Sequence, residues 1–375
     1  MSEPAGGVVN RGLVTLLFCL LASQIGGATD ADHAKQIDAI FAIFQSNRAP
    51  GAAVLVINHG QEVFERGYGV TELRTLRKID AHTNFRLASC TKQFTAMAIM
   101  LLVHDGKLRY DDRLTDIFPA FPAYGRAITI RNLLNHTSGL LDYEDLMAPQ
   151  DNVPEEKRHQ IKDTEVLKLL MQQKTTKFAP GTRWDYSNSG YVVLGLVVEK
   201  ISGKPFGEFL HDRIFAPLGM AGTLAYEKGK NQVSNRAYGH TPEANGWRQK
   251  DQSSTSATLG DGGVYSSIED LAKWDQALRE HTLLSQVEMQ PAVTPVKVPD
   301  NSVKGPDGSP AEYGFGWFLN SYQGHARMWH YGETVGFRTN IQRFVDRDLT
   351  IIVFSNREDV NPSKLALKVA DLYLH

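Results

Sequence analysis

Strand-like segments stand at both ends of this chain of 375 residues, and helical segments lie between them. Near the N-terminus, AAVLVINHGQEVFERGYG contains two strand-like runs around NHG at 58–60, a sequence typical of a β-hairpin turn. The C-terminal third contains ARMWHYG, FRTNIQRFV and LTIIVFSN, with DRD at 346–348 as a tight turn between the last two. The middle contains helix-like segments such as TEVLKLLMQQ and GYVVLGLVVEKISG. This order predicts an α+β fold, with an antiparallel sheet built from the N- and C-terminal segments, flanking helices and a mainly helical insert.

The first 28 residues differ in character from the rest. Arg11 precedes the apolar run from Leu13 to Ala22, and small residues follow up to Ala28. This pattern predicts a secretory signal peptide over residues 1–28 and a periplasmic or secreted mature protein. The alternative is an N-terminal membrane anchor, although the apolar run is short for a bilayer span. No second run of eighteen apolar residues follows, so we expect no membrane span after removal of the signal peptide.

Charge and cysteine content exclude several classes of function. Forty Lys and Arg residues stand against 42 Asp and Glu residues, and no basic run is present, which argues against nucleic acid as a partner. Removal of the signal peptide leaves Cys90 as the only cysteine, so we expect no internal disulfide. The sequence contains no H-E-x-x-H motif and no close cysteine or histidine cluster. We therefore expect neither a metal site nor a cofactor.

The segment FRLASCTKQFTAMAIMLL at 85–102 contains a lysine at the start of an apolar helix. From Phe94 to Val103 almost every residue is apolar, which predicts a helix buried on all sides. Lys92 and Ser89 are three residues apart and share one helix face. Burial and the positive end of the helix dipole lower a lysine pKa, and a neutral lysine accepts a serine proton. The alternative is a lysine that extends from an exposed helix end to solvent.

Two later segments contain further candidates. Tyr186 and Asn188 lie in YSN, directly before a helix-like segment. A tyrosine hydroxyl shares a proton with a serine and a lysine, and an asparagine amide orients a carbonyl group. The alternative is a helix cap beside a packed aromatic ring. His330 and Gly332 lie in WHYG on a predicted strand, where the glycine allows a ligand to approach the backbone.

These motifs, in this order, resemble those of the serine β-lactamase and penicillin-binding-protein superfamily. They are S-x-x-K at 89–92, Y-x-N at 186–188 and [K/H]-x-G at 330–332, and the tyrosine points to the class C and DD-peptidase-like branch. LLNHTSGL, IFAPLGM, GDGGVYSSIEDLAKW and YGFGW also resemble signatures of that family. The resemblance implies one β-lactamase-like catalytic domain at 29–375. Its sheet part would cover about 29–88 and 258–375, and its helical part about 89–257.

The resemblance also implies catalytic roles. Ser89 would be the acylated nucleophile and Lys92 its proton acceptor. Tyr186 would assist proton transfer to the leaving group. The backbone N–H groups of Ser89 and Glu333 would form the oxyanion hole.

Substrate-binding roles follow in the same way. Asn188 would hold a substrate carbonyl, and His330 with Gly332 would face the leaving side of the substrate. Class C β-lactamases have lysine at the position of His330, and DD-peptidase and esterase-like relatives have histidine. Glu333 places a carboxylate beside the oxyanion hole, where it would repel an anionic substrate unless Arg338 compensates its charge.

The resulting hypothesis is an exported serine hydrolase that forms an acyl-enzyme on Ser89 without a cofactor. Its partner would be a small-molecule amide or ester, such as a β-lactam, a D-amino-acid peptide or a small ester. The alternative is a catalytically impaired module of the same fold that binds penicillin or cell-wall peptide. The sequence does not determine the oligomeric state, and we expect a monomer.

Overall fold

The computed structural model describes residues 1, 30–150, 152–154, 157–299, 304–305 and 312–374. The predicted signal peptide, apart from Met1, lies outside the described residues. The strands along the described ranges are β1 (Ala52–Asn58), β2 (Gln61–Tyr68), β3 (Phe85–Arg86), β4 (Leu224–Ala225), β5 (His240–Glu243), β6 (Gly246–Gln249), β7 (Val264–Ser266), β8 (Glu312–Tyr313), β9 (Phe318–Tyr322), β10 (His325–Thr334), β11 (Phe337–Phe344) and β12 (Leu349–Ser355).

The helices along the same ranges are α1 (Asp30–Ile40), α2 (Lys92–His104), α3 (Leu114–Ile117), α4 (Ile130–Leu134), α5 (Tyr143–Leu146), α6 (Asp163–Met171), α7 (Asn188–Ser202), α8 (Phe206–Leu210), α9 (Ile268–Glu280), α10 (Gln286–Val293) and α11 (Pro362–Ala370). Within the described residues, no helix combines the length and the apolar character that a bilayer span requires.

The central sheet has seven antiparallel strands in the order β2-β1-β12-β11-β10-β9-β8. The N-terminal strand β1 pairs along its whole length with the C-terminal strand β12, from Ala52 opposite Ser355 to Asn58 opposite Leu349. This pairing confirms the prediction of a sheet built from both ends of the chain. Two small sheets, β3-β7-β4 and β5-β6, lie apart from it.

The predicted hairpin at 58–60 is present between β1 and β2. His59 and Gly60 both have positive φ, 49° and 71°, as a two-residue turn between right-twisted strands requires. The predicted helix after Asn361 is present as well. The side chain of Asn361 accepts the N–H of Lys364, and Pro362 begins α11.

Helices cover both faces of the central sheet. Successive β1 side chains point to opposite sides, and those on both sides are apolar, so each face packs against helices. Val54 and Val56 pack in a core that α1 and α11 share. Leu55 and Ile57 belong to the main core, which includes residues of α2, α7 and α9. The first eleven residues of α2 are buried, which confirms the prediction of a helix enclosed on all sides.

The region between 89 and 257 contains most of the helices and also the short strands β4, β5 and β6. The sequence analysis did not predict these strands. Segments of two to four residues are too short for hydrophobic alternation to distinguish them from loops.

Candidate active site

Ser89 lies on a tight turn directly before α2. The turn is a 3₁₀ helix, Ala88–Thr91, and its first residue has φ of +47°. A left-handed conformation is unfavourable for alanine, and such strain is common beside reactive groups. Ala88 and Cys90 are buried, whereas Ser89 is half-buried. The turn therefore presents the serine hydroxyl and hides its neighbours.

Lys92, the first residue of α2, has no exposed surface. Its ammonium group donates to the Ser89 hydroxyl at 3.0 Å, to Asn188 Oδ1 at 2.9 Å and to the Asp261 carbonyl at 2.9 Å. An ammonium group has three N–H donors, so each one has a partner. This geometry excludes the alternative in which the lysine extends to solvent.

The environment of Lys92 makes its neutral form more accessible than that of a lysine in water. Burial lowers its pKa to about 8, although the carboxylates of Asp261, Asp142 and Glu144 act in the opposite direction. A neutral amine is therefore accessible close to neutral pH. A neutral lysine 3.0 Å from a serine hydroxyl is suited to remove its proton.

Tyr186 lies beside Lys92 and Ser89. The Lys92 nitrogen lies 5.0 Å from the centroid of the Tyr186 ring. Burial raises the pKa of Tyr186 well above its usual value, and the nearby Ser89 hydroxyl opposes this rise. Within the part of the chain that the structure describes, the buried Tyr186 hydroxyl forms no hydrogen bond of good geometry. It is a neutral phenol with a donor available for an incoming group.

Asn188 has two functions in the structure. It begins α7, and the preceding Ser187 caps that helix by accepting the Gly190 N–H at 3.1 Å. The structure therefore confirms the helix-cap interpretation of YSN, and the catalytic interpretation stays a prediction. Asn188 also orients Lys92 through Oδ1, and its amide nitrogen donates to Glu144 at 3.4 Å.

His330 is fully buried and neutral. Its Nδ1 lies 2.7 Å from the Tyr331 carbonyl, which only accepts, so Nδ1 carries the proton. Its Nε2 then accepts the Tyr313 hydroxyl at 3.0 Å. Burial and the charge of Lys92 lower the pKa of His330 to about 3. Because of this low pKa, the imidazole supplies no positive charge at physiological pH. Both of its ring nitrogens have protein partners.

Gly332 permits close packing, a reason for glycine that the sequence did not indicate, and the approach of a ligand to its backbone stays a prediction. A Cβ atom there would lie 2.1 Å from the Leu87 carbonyl oxygen and 2.2 Å from Thr339 Oγ1. The glycine therefore lets β10 contact the segment that leads into Ser89.

Glu333 and Arg338 form an ion pair across the β10–β11 hairpin. They are opposite each other in the register, and Arg338 Nη2 lies 2.9 Å from Glu333 Oε1. The Glu333 side chain is 59% exposed, whereas that of Arg338 is 18% exposed. The other terminal nitrogen of Arg338 donates to the carbonyls of Thr334 and Phe337, both at 2.8 Å. Arg338 thus compensates the charge of Glu333, the condition that the sequence left open, and its guanidinium is held on the hairpin.

Sequence reasoning missed a loop that supports Lys92. Asp261 supplies the carbonyl for Lys92, and its carboxylate accepts the Tyr143 hydroxyl at 3.1 Å. The Asp163 carboxylate accepts the N–H groups of Leu259 and Gly260, at 3.1 and 3.4 Å. Burial and the nearby Asp261 raise the pKa of Asp163 to about 7. The signature GDGGVYSSIEDLAKW contained Asp261, but the motif alone gave it no role.

Two other residues with reactive side chains, His136 and Cys90, have structural environments. His136 has φ of +61°, and its Nδ1 accepts the Ser187 N–H at 3.1 Å, so it stabilises a turn. Burial raises the pKa of the Cys90 thiol to about 12, which makes it unreactive. Among the described residues, no group of three or more potential metal ligands is present.

Comparison with known proteins relates these features to a family. The family model described as Beta-lactamase matches residues 32–374. A penicillin-binding protein of Bacillus subtilis is 31% identical over 353 residues, covering 90% of this chain and 75% of the relative. A D-aminopeptidase of Cereibacter sphaeroides is 28% identical over 330 residues, and the match covers 86% of this chain and 59% of that relative.

Solved structures share the fold. A penicillin-binding protein from Bacillus halodurans is 28% identical, with a TM-score of 0.75 and coverage of 90% of this chain and 99% of its own. The D-amino acid amidase from Ochrobactrum anthropi, complexed with D-phenylalanine, is 24% identical, with a TM-score of 0.76 and coverage of 91% and 98%. At 24% identity, the similarity to the amidase shows a shared fold alone.

Proposed function

Because the chain belongs to the β-lactamase family, we propose that it is a serine hydrolase that cleaves small D-amino-acid amides or peptides through an acyl-enzyme on Ser89. The observation that carries the proposal is the contact of a buried Lys92, whose pKa is lowered to about 8, with the Ser89 hydroxyl at 3.0 Å. The curated relatives include D-aminopeptidases, which supports this class of substrate.

The proposed reaction assigns a role to each of these groups. Neutral Lys92 takes the Ser89 proton while the serine oxygen attacks the substrate carbonyl. The N–H groups of Ser89 and Glu333 stabilise the negative charge that develops on the carbonyl oxygen. The Tyr186 hydroxyl donates a proton to the leaving amine as the carbon–nitrogen bond breaks, and the proton that Lys92 took from Ser89 passes to Tyr186 and restores its hydroxyl. Water then attacks the ester on Ser89 and gives a proton to the neutral Lys92. Lys92 returns this proton to the serine oxygen as the acyl group leaves, which regenerates the free serine.

The third motif, [K/H]-x-G at 330–332, and the adjoining hairpin favour substrates that are uncharged on the side of the leaving group. His330 is neutral, and the positive charge of Arg338 is paired with Glu333. The site therefore offers a substrate carboxylate little charge compensation at this position, and we expect slow turnover of β-lactams, whose ring systems carry a carboxylate. Small esters share the reactive carbonyl without that charge and should be accepted.

Two further parts of the hypothesis concern the protein in the cell. The signal-like sequence of residues 1–28 supports export to the periplasm or the medium. We propose a monomer; among the structural neighbours, the penicillin-binding protein homologue from Pyrococcus abyssi is described as octameric. Light scattering on the purified protein measures the oligomeric state directly.

A substrate panel tests the proposed function. The panel contains D- and L-alanine p-nitroanilide, p-nitrophenyl butyrate and a chromogenic cephalosporin, with Ser89→Ala as the blank. We expect turnover of the D-anilide and the ester, with weaker turnover of the L-anilide and the cephalosporin. Preferred hydrolysis of the cephalosporin would identify a β-lactamase instead. Stable labelling without any turnover would favour a binding module.

A further inference from the structure

A cavity of about 1210 Å³ has a strongly basic lining. The described part of its lining contains six lysine and arginine side chains and one carboxylate, Asp251. The basic residues are Lys157, Arg158, Lys228, Arg236, Arg248 and Lys250. Because the whole chain has a net charge of only -2, this concentration of positive charge is a local feature.

Two of these cations already have carboxylate partners. Arg236 pairs with Asp251 and donates to the Tyr265 hydroxyl at 3.0 Å, and its guanidinium lies against three tyrosine rings. Arg248 pairs with Glu243 at 2.7 Å. Arg236 and Asp251 both line the cavity as an ion pair. Asp251 is the single carboxylate of the described lining, and it forms an ion pair with no other cation on the described residues.

Lys228 and Lys250 are the cations that carry the inference. Neither is within ion-pair distance of a carboxylate on any residue that the structure describes. Glu358, whose pKa is lowered in part by the charge of Lys250, already accepts the Thr241 hydroxyl and the Gly336 N–H. Asp151, Glu155 and Glu156, which are near Lys157 in sequence, lie outside the described residues.

The cavity contacts the catalytic elements on two sides. Val335 lines it and lies two residues beyond Glu333, whose N–H faces the proposed oxyanion hole. Tyr226 also lines it, and its N–H donates at 2.9 Å to the Gly263 carbonyl, two residues beyond Asp261. Because an extended peptide advances about 3.3 Å per residue, we expect a substrate of several residues to extend from Ser89 along these elements towards the cavity.

We propose that this basic cavity is a subsite for carboxylate groups on a peptide that extends from the scissile amide. The inference rests on the proposed function, because it requires a peptide substrate at Ser89. The anionic groups that such a peptide supplies are carboxylates. Exposed lysines bind a single carboxylate weakly. Several like charges around one cavity nevertheless raise the local concentration of an anionic substrate.

A matched pair of substrates tests the subsite. Each is a D-alanine-containing peptide of the same length, with two glutamates or two glutamines placed on either the amino or the carboxyl side of the scissile amide. For at least one side, we expect kcat/KM of the glutamate peptide to exceed that of the glutamine peptide by about tenfold at low ionic strength. The ratio should approach one at roughly 0.5 M salt, because exposed charges are then screened.

Charge-neutral variants assign the effect to the cavity. The double variant Lys228→Gln/Lys250→Gln should lower the glutamate-to-glutamine ratio several-fold and leave kcat/KM for the glutamine peptide unchanged. The matched control is Lys364→Gln/Lys368→Gln, which removes two exposed lysines from α11 and should leave the ratio unchanged.

The outcomes separate the subsite from the proposed function. Equal hydrolysis of both peptides by the wild type, or a ratio that the cavity variant does not change, would overturn the subsite and leave the Ser89 mechanism intact. Failure to hydrolyse any of the peptides, together with no covalent adduct on Ser89, would overturn the proposed function and the subsite with it.

Discussion

At the scale of single residues, Lys92 combines complete burial with a group that is charged in water. A pKa of about 8 in place of 10.5 corresponds to about 3 kcal/mol of unfavourable charge burial at neutral pH. A structural role alone gives no reason for this cost. Proton transfer from Ser89 gives one, because the same burial that destabilises the ammonium group makes the amine an effective base.

The substitution Lys92→Arg tests this role. Arginine keeps a positive charge but stays protonated, so it cannot accept the serine proton. We expect the acylation rate to fall by at least about a hundredfold, as is typical for loss of a general base. Stopped-flow acylation by a p-nitrophenyl ester measures it, with circular dichroism as the control for folding. Activity within tenfold of the wild type would contradict the role.

The pH dependence of kcat/KM provides a second test of Lys92. Protonated Lys92 is inactive, and its pKa is lowered to about 8, so the rate should rise with pH and level off above about 8. His330, with a pKa of about 3, does not titrate in this range, whereas Asp163, with a pKa of about 7, does. In Asp163→Asn, the pH at which kcat/KM levels off should therefore stay near 8. A flat profile between pH 6 and 9, or a limb near 10, would refute the assignment.

Tyr186 should matter more for amides than for esters. Its hydroxyl is buried and available to protonate a leaving amine, which departs poorly without a proton. A p-nitrophenolate leaves without such help. In Tyr186→Phe, we expect kcat/KM to fall by about a hundredfold for the D-anilide and by much less for the ester. Equal losses for the two substrates would show that the tyrosine acts on Ser89 or on packing instead.

At the scale of elements, the β10–β11 hairpin sets the electrostatics of the third motif. Glu333 holds the Arg338 guanidinium at 2.9 Å. Glu333→Gln removes the negative charge and leaves Arg338 uncompensated. We expect kcat/KM for a chromogenic cephalosporin to rise several-fold relative to that for p-nitrophenyl butyrate, because an exposed pair is worth up to about 1 kcal/mol.

The control for this variant is salt. The change in the ratio should diminish at high ionic strength, where exposed charges are screened. If Glu333→Gln leaves the ratio unchanged at low salt, the charge of the hairpin does not select the substrate.

Elements also show what the sequence does and does not predict. Long apolar runs predicted β1, β12 and α2, since each run is long enough for its pattern to be distinct. The contact of Lys92 with Ser89 followed from the spacing of the two side chains within one motif. The contact of Lys92 with Asn188 was not predicted, because the two residues meet only through the fold. The Asp261 carbonyl could not be predicted in this way, because any residue has a backbone carbonyl and its position depends on tertiary folding.

The third motif shows a similar limit. The sequence placed His330 on a strand but did not identify Tyr313 as the partner of its Nε2, because the two residues meet only through the fold. The sequence also did not show the packing that requires glycine at 332, because the contact is with Leu87, a residue in a distant part of the chain.

At the scale of the whole molecule, the fold brings together three segments that are far apart in the sequence. The Ser89 turn contacts β10 through Gly332, and α7 places Asn188 against Lys92. The first eleven residues of α2 and much of the central sheet are buried, so packing holds the candidate catalytic groups in place before substrate arrives. The family match over residues 32–374 covers all of these segments.

The central claim is that Ser89 becomes acylated, and mass spectrometry of the intact protein tests it most directly. After rapid quenching of the reaction with p-nitrophenyl butyrate, the account predicts one butyryl group per chain. Proteolytic mapping should place it on Ser89, and Ser89→Ala should carry none while it keeps its fold. An adduct on another residue, or an equal adduct on folded Ser89→Ala, would contradict the account.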